Sequence, residues 1–284
     1  MPLDPSIPGH LPNVRLLARA CDLAYLDEPE ASAAYQSELG MSARLISVDN
    51  TQAYLASDDG SLVVAFRGSQ CPTDLDGCKD WLLTNANNLL IIPEGRIGTD
   101  FASAGVGARF HRGFMEALAE IWDPLVTAVQ QAWDESERPL WVTGHSLGGA
   151  IALLSAWRLQ RQFIPVHEIV TFGAPMIGNA VAAQAYEREF PNRIFRYVDI
   201  EDPVPLLPTV SLVANAYAHC LNEVRLQGPE PKAVAHALGE LGRTAVEGLL
   251  TASLVDEVWN LLKRRIDAHL IPNYQNRLRG KDEG

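Results

Sequence analysis

The sequence has no run of apolar residues long enough to cross a bilayer, which takes about 20 in succession. It also has no long block of lysine and arginine. With 23 basic against 35 acidic residues the formal net charge is −12. Such a surplus of carboxylates repels phosphate backbones and anionic headgroups, which argues against nucleic-acid binding. The basic triplet Lys263-Arg264-Arg265 reads instead as the charged last turn of a helix, where cations favour the dipole.

Cysteine is scarce. Four in 284 residues do not make a disulfide framework. Cys21, in a helical apolar pattern, and Cys220, following His219 in a strand pattern, read as buried thiols. Cys71 and Cys78 bracket a polar loop at a spacing unlike the C-x-x-C zinc and redox pairs. Free thiols are the first reading for that pair and a loop-pinning disulfide is the alternative. The opening MPLDPSIPGHLPN has four prolines and no positive residue ahead of its apolar positions, so it lacks the usual form of a secretory signal. The expectation is a mature cytoplasmic protein, or one exported without a recognisable signal peptide.

What is present is an ordinary soluble profile, 47% hydrophobic and 20% charged, long enough to bury a large core. We read residues 1–284 as a single domain of α/β class. The prolines at 2, 5, 8 and 12 predict an extended arm, followed by a helical stripe from Val14 to Tyr25. Residues 44–67 alternate as strands around the turn signal Asp58-Asp59-Gly60, ending in Ser61-Leu-Val-Val-Ala-Phe-Arg67. From Gly113 onward the pattern switches between helix and strand. Helices are predicted over Gly113–Trp133, Leu147–Gln162 and Asn179–Glu189, and strands over Pro139–Thr143, Glu168–Phe172 and Arg193–Val198. That alternation implies a mostly parallel central sheet with helices on both faces. The stretch 227–265 reads as a helical insert.

The sharpest chemical signal is Gly144-His145-Ser146-Leu147-Gly148-Gly149, a G-x-S-x-G turn placed after a buried strand and before a helix. The turn is tight enough that side chains at the flanking glycines would collide with strand or helix. It leaves the Ser146 hydroxyl at a helix N-terminus, where the N–H of Leu147 faces a developing oxyanion. A serine nucleophile needs a base and an orienting carboxylate, which follow it in this fold in the order acid, then histidine. After the strand ending at Val198, Asp199 and Glu201 are competing carboxylates.

At these residues the sequence resembles the class 3 lipases, the fungal-type triacylglycerol lipase family of the α/β-hydrolase superfamily. Beyond the serine motif the shared segments are Ala65-Phe-Arg-Gly-Ser69 with Asp80-Trp81, and His111-Arg-Gly-Phe114. Thr171-Phe-Gly-Ala-Pro175, Asp202-Pro-Val-Pro with Pro208, and Tyr217-Ala-His219 complete the series. They stand in family order from about Ser61 to His269. The resemblance implies the α/β-hydrolase fold with a lid segment at 70–80, and Ser69 completing an oxyanion hole with Leu147. It further implies Asp202 as the triad acid, with His111, Arg67 and His145 structural. No metal or organic cofactor is implied, and Asp74 with Asp76 offers too few oxygens for calcium.

For the base, His219 and His269 both follow Asp202. His219 sits before the strand Glu223–Leu226 in a segment whose family histidine is structural. His269 follows a long amphipathic stretch and precedes Pro272, which disfavours helix just before it. His269 on such a loop can reach both Ser146 and Asp202, so the expected triad is Ser146, Asp202 and His269. The expected activity is hydrolysis of lipid esters, as a triacylglycerol lipase or esterase, with transient contact to a lipid interface. Phospholipase A1 or feruloyl-type esterase activity is the alternative within enzymes, and a non-catalytic lipase-like binding protein the alternative outside them. The 70–80 segment is polar, so the apolar lid face that strong interfacial activation uses is missing from it. Acyl-chain length, headgroup and oligomeric state are not legible in the sequence.

Overall fold

Alternating apolar residues and Asp-Gly turn chemistry build an antiparallel meander first. The computed structural model describes residues 2–68, 89–207, 217–220, 222–226, 260 and 265–280. In it, β1 (Ser42–Val48), β2 (Thr51–Ser57) and β3 (Leu62–Phe66) pair antiparallel in chain order. The turn between β2 and β3 is closed by the Asp58 carboxylate, which accepts from the Gly60 N–H at 2.9 Å and the Ser61 hydroxyl at 2.8 Å. Short strands β4 (Leu90–Ile91) and β5 (Phe110–His111) come next, then β6 (Leu140–His145), β7 (Val166–Phe172), β8 (Gly178–Asn179) and β9 (Ile194–Val198). The last two among the described residues are β10 (Tyr217–Ala218) and β11 (Glu223–Arg225).

A seven-stranded sheet runs β1-β2-β3-β6-β7-β9-β11, parallel from β3 onward. A small antiparallel sheet, β10-β8-β5-β4, is separate from it. This is the expected architecture. The continuous apolar runs of β3, β6 and β7 are explained by cover on both faces.

The helices in chain order are α1 (Leu11–Leu23), α2 (Glu30–Ala34), α3 (Gly95–Ala102) and α4 (Arg112–Glu135). They continue with α5 (Leu147–Arg161), α6 (Ala180–Glu189), α7 (Ile266–His269) and α8 (Ile271–Arg279). The strand period of two sorts side chains to the two faces. Val64, Phe66, Val142 and Ile169 pack with α3 to α6, while Val63, Ala65, Trp141, Val170 and Phe172 pack with α1 and α8. Helix α5, which starts at the serine turn, is buried along nearly its whole length from Gly148 to Leu159. It even buries Arg158, which is paired with Asp100 at 2.8 Å and lies 3.8 Å above the Trp122 ring.

Two expectations are corrected in detail. Helix α1 begins at Leu11 and not at Val14, because proline is tolerated in a first helical turn, where its missing N–H would have no partner. Cys220 lies beyond β10, not within a strand, and with Cys21 it is a buried free thiol. Ser69, the 70–80 segment with Cys71, Asp74, Asp76 and Cys78, and most of 227–265 lie outside the described residues. Arg265 of the basic triplet stands at the N-cap of α7. Among the described residues no helix is long and apolar enough to cross a membrane.

Candidate active site

The serine turn has the geometry its glycines require. Ser146 sits between β6 and α5 with φ 58° and ψ −131°, a left-handed conformation that costs a non-glycine residue on the order of 1–3 kcal/mol. Its N–H donates to the Phe172 carbonyl at 2.9 Å, tying the turn to β7. A Cβ on Gly144 would overlap the Gly148 carbonyl, and one on Gly148 would overlap the Phe66 carbonyl. Leu147 is the first residue of α5, so its N–H has no acceptor within the helix and is available to an anion.

Asp202 and His269, the expected acid and base, come from two other chain segments. Asp202 follows β9, is 2% exposed, and accepts from His269 Nδ1 through Oδ2 at 2.7 Å. The same oxygen accepts the Tyr274 hydroxyl proton at 2.6 Å, while Oδ1 accepts the Val204 N–H at 2.8 Å. Three donors thus hold one buried carboxylate in place. His269 closes α7 and Tyr274 lies on α8, so the short break at Leu270 before Pro272 sets the ring and the phenol on the same acid. Gly173, one residue past β7, forms the floor. A Cβ there would lie 2.7 Å from Asp202 Oδ2, 3.0 Å from the Tyr274 hydroxyl and 3.1 Å from His269 Cε1.

The competing residues have other partners. Asp199 is fully buried, accepting from the Glu201 N–H at 3.0 Å and from Arg277 Nε at 3.1 Å. Glu201 is exposed. His219 donates through Nε2 to the Pro205 carbonyl, and burial pushes its pKa down to about 3. It pins the loop after Asp202 and is not bonded to it. His111 caps α4 by accepting the Phe114 N–H at 3.3 Å, and burial lowers its pKa to about 3. Arg67 bonds the Gln52 side chain at 2.5 Å. Ser69 follows directly on Gly68, at the limit of the described residues.

Tyr274 and Gly173 carry no role in the sequence reading. The signals were there: a tyrosine five residues after the late histidine, as the family resemblance also has it, and a glycine immediately after a predicted buried strand. Among the described residues no group of three or more His, Cys, Asp or Glu side chains is arranged to hold a metal ion.

A serine on a strained strand-to-helix turn of a mostly parallel sheet, with a later, carboxylate-bonded histidine whose ring lies 4.6 Å from that of His145 in the same turn, defines an α/β-hydrolase. The comparisons specify the family. The class 3 lipase model matches residues 63–212, more than half of the chain, and the protein belongs to that family. A secreted mono- and diacylglycerol lipase 3 of Gibberella zeae is 32% identical over 128 residues, 44% of this chain and 39% of that protein. The chloroplastic phospholipase A(1) DAD1 of Arabidopsis thaliana is 26% identical over 160 residues, 53% of this chain and 34% of the relative. The matches therefore span well under half of these relatives' length. The crystal structure of a mutant form of MDLA from Penicillium cyclopium shares the fold, with a TM-score of 0.61 over 78% of this chain and 82% of the other at 22% identity.

Proposed function

We propose that the protein hydrolyses carboxylic esters of lipids, with acylglycerols as the leading substrate class. The observation that carries this reading is the His269–Asp202 bond at 2.7 Å beside the strained Ser146 turn. In the proposed cycle Ser146 Oγ attacks the ester carbonyl carbon while His269 Nε2 takes its proton. Asp202 holds the Nδ1–H tautomer and stabilises the imidazolium. The Leu147 N–H and Ser69 receive the negative charge that develops on the carbonyl oxygen. Collapse expels the alcohol, protonated by His269, and leaves an acyl-Ser146 ester. Water activated by His269 then attacks that ester, releasing the fatty acid and restoring the serine.

Substrate class is supported by family membership and by relatives described as mono- and diacylglycerol lipase. The match to a phospholipase A(1) supports a second reading in which the same residues act on a phospholipid acyl ester. The deciding experiment compares wild type and Ser146→Ala on nitrophenyl esters from short to long chain, a diacylglycerol emulsion and phosphatidylcholine vesicles. Turnover abolished by the substitution, and greater on the acylglycerol than on the phospholipid, is the expected result. Faster turnover of the phospholipid selects the second reading, and equal activity of the alanine variant removes both.

A further inference from the structure

His145, the residue before the nucleophile, is 4% exposed and makes two hydrogen bonds that fix its tautomer. Its Nε2 lies 2.6 Å from the backbone carbonyl oxygen of His269, which can only accept, so Nε2 carries the proton. Its Nδ1 is then an acceptor, and the Tyr25 hydroxyl 2.8 Å away donates to it. The ring lies 4.6 Å from the His269 ring at 33° and stands edge-on to Tyr25 at 5.9 Å.

Both ends of this chain of bonds touch groups that the proposed chemistry depends on. The His269 carbonyl closes the short helix α7 and, as a last-turn carbonyl, has no acceptor role inside that helix. At the other end, a Cβ on Gly68 would overlap the Tyr25 hydroxyl and lie 2.7 Å from the His145 carbonyl oxygen. Gly68, the residue before Ser69 in the sequence, therefore stands against the same tyrosine.

We infer that Tyr25 and His145 are a positioning pair that registers the backbone of the base His269 against the backbone at Gly68, the residue before Ser69. This rests on the hydrolase reading above and adds residues to it that touch neither substrate nor reacting atoms. The pair is polar without being charged. Burial first, and the neighbouring His269 second, hold the His145 pKa well below its ordinary value. A neutral tether suits this place, because a second cation 4.6 Å from His269 would oppose the imidazolium formed during reaction.

The test uses Tyr25→Phe, which deletes one hydroxyl, His145→Leu, which deletes both bonds, and His145→Gln, whose amide retains a donor and an acceptor. A misplacement near 1 Å costs up to about a hundredfold in rate. Turnover per fluorophosphonate-titrated site is therefore expected to fall about tenfold in Tyr25→Phe and about a hundredfold in His145→Leu. KM and the melting temperature of Tyr25→Phe should stay near wild type, and His145→Gln should recover most of the loss. Wild-type rates in Tyr25→Phe and His145→Leu, losses confined to KM, or a glutamine variant as slow as the leucine one would overturn the positioning role. If wild-type Ser146 itself neither turns over any ester nor reacts with the fluorophosphonate, the hydrolase reading falls and this inference falls with it. A reactive wild type with equally reactive variants removes the inference alone.

Discussion

Gly173→Ala adds a single methyl group against Asp202 and His269, and the structure sets what it must displace. The new carbon would sit 2.7 Å from Asp202 Oδ2, whereas ordinary contact begins at 3.4 Å, so the carboxylate or the strand end has to give by about 0.7 Å. The carboxylate is not free to retreat, since that oxygen already accepts from His269 at 2.7 Å and Tyr274 at 2.6 Å. Displacement at that scale is expected to lower kcat/KM on a short nitrophenyl ester by about a hundredfold. The residue also holds φ at +58°, which by itself costs alanine on the order of 1–2 kcal/mol. Gly40→Ala isolates that backbone cost, because Gly40 has φ +69° and nothing within 4 Å of an added Cβ. Both variants should melt a few degrees early, and only Gly173→Ala should lose activity. A Gly173→Ala enzyme with more than a third of wild-type kcat/KM would refute the reasoning that Asp202 and His269 have no room to shift.

Glu168 is 2% exposed, bonds the Gly9 N–H at 2.7 Å, and is raised by burial from 4.5 to about 7. The folded state therefore binds this proton more tightly, and the contribution to stability falls as pH rises from about 4.5 to 7, by at most about 3 kcal/mol. Denaturant melts of Glu168→Gln should lose that part of the slope and gain most above pH 7; an unchanged slope contradicts it. Asp100→Ala strands the buried Arg158 and should cost about 3 kcal/mol, read by urea denaturation, while Ser146 remains reactive. His219→Ala frees the Pro205 carbonyl and should lower the melting temperature more than it lowers turnover, the reverse of His269→Ala. A His219 variant as inactive as the His269 one would require a different base.

The sheet was legible because the signals were local. Asp58-Asp59-Gly60 closes the β2–β3 turn, and the apolar runs of β3, β6 and β7 meet helices on both sides. The nucleophile turn was legible for the same reason, since Gly144 and Gly148 stand within two residues of the serine whose backbone they permit. His269 could be favoured over His219 from Pro272, which stands in the first turn of α8 just past the break at Leu270 that ends α7. Contacts between distant segments were not legible. Tyr25 reaches His145 across 120 residues at the end of α1, and no periodicity marks a tyrosine there. The choice of Asp202 over Asp199 turned on the family resemblance. In the structure Arg277 occupies Asp199, and Tyr274 bridges the Asp199 N–H and Asp202 Oδ2, which supports the same choice.

The central claim is that Ser146 is a nucleophile activated by His269 and Asp202. Mass spectrometry of the protein after a fluorophosphonate pulse tests it most directly, with peptide mapping of wild type, His269→Ala and Asp202→Asn. One adduct on Ser146 in wild type, and formation slowed by several orders of magnitude in both variants, is the predicted result. An adduct on another serine, or labelling of Ser146 at the wild-type rate without His269, would contradict the account.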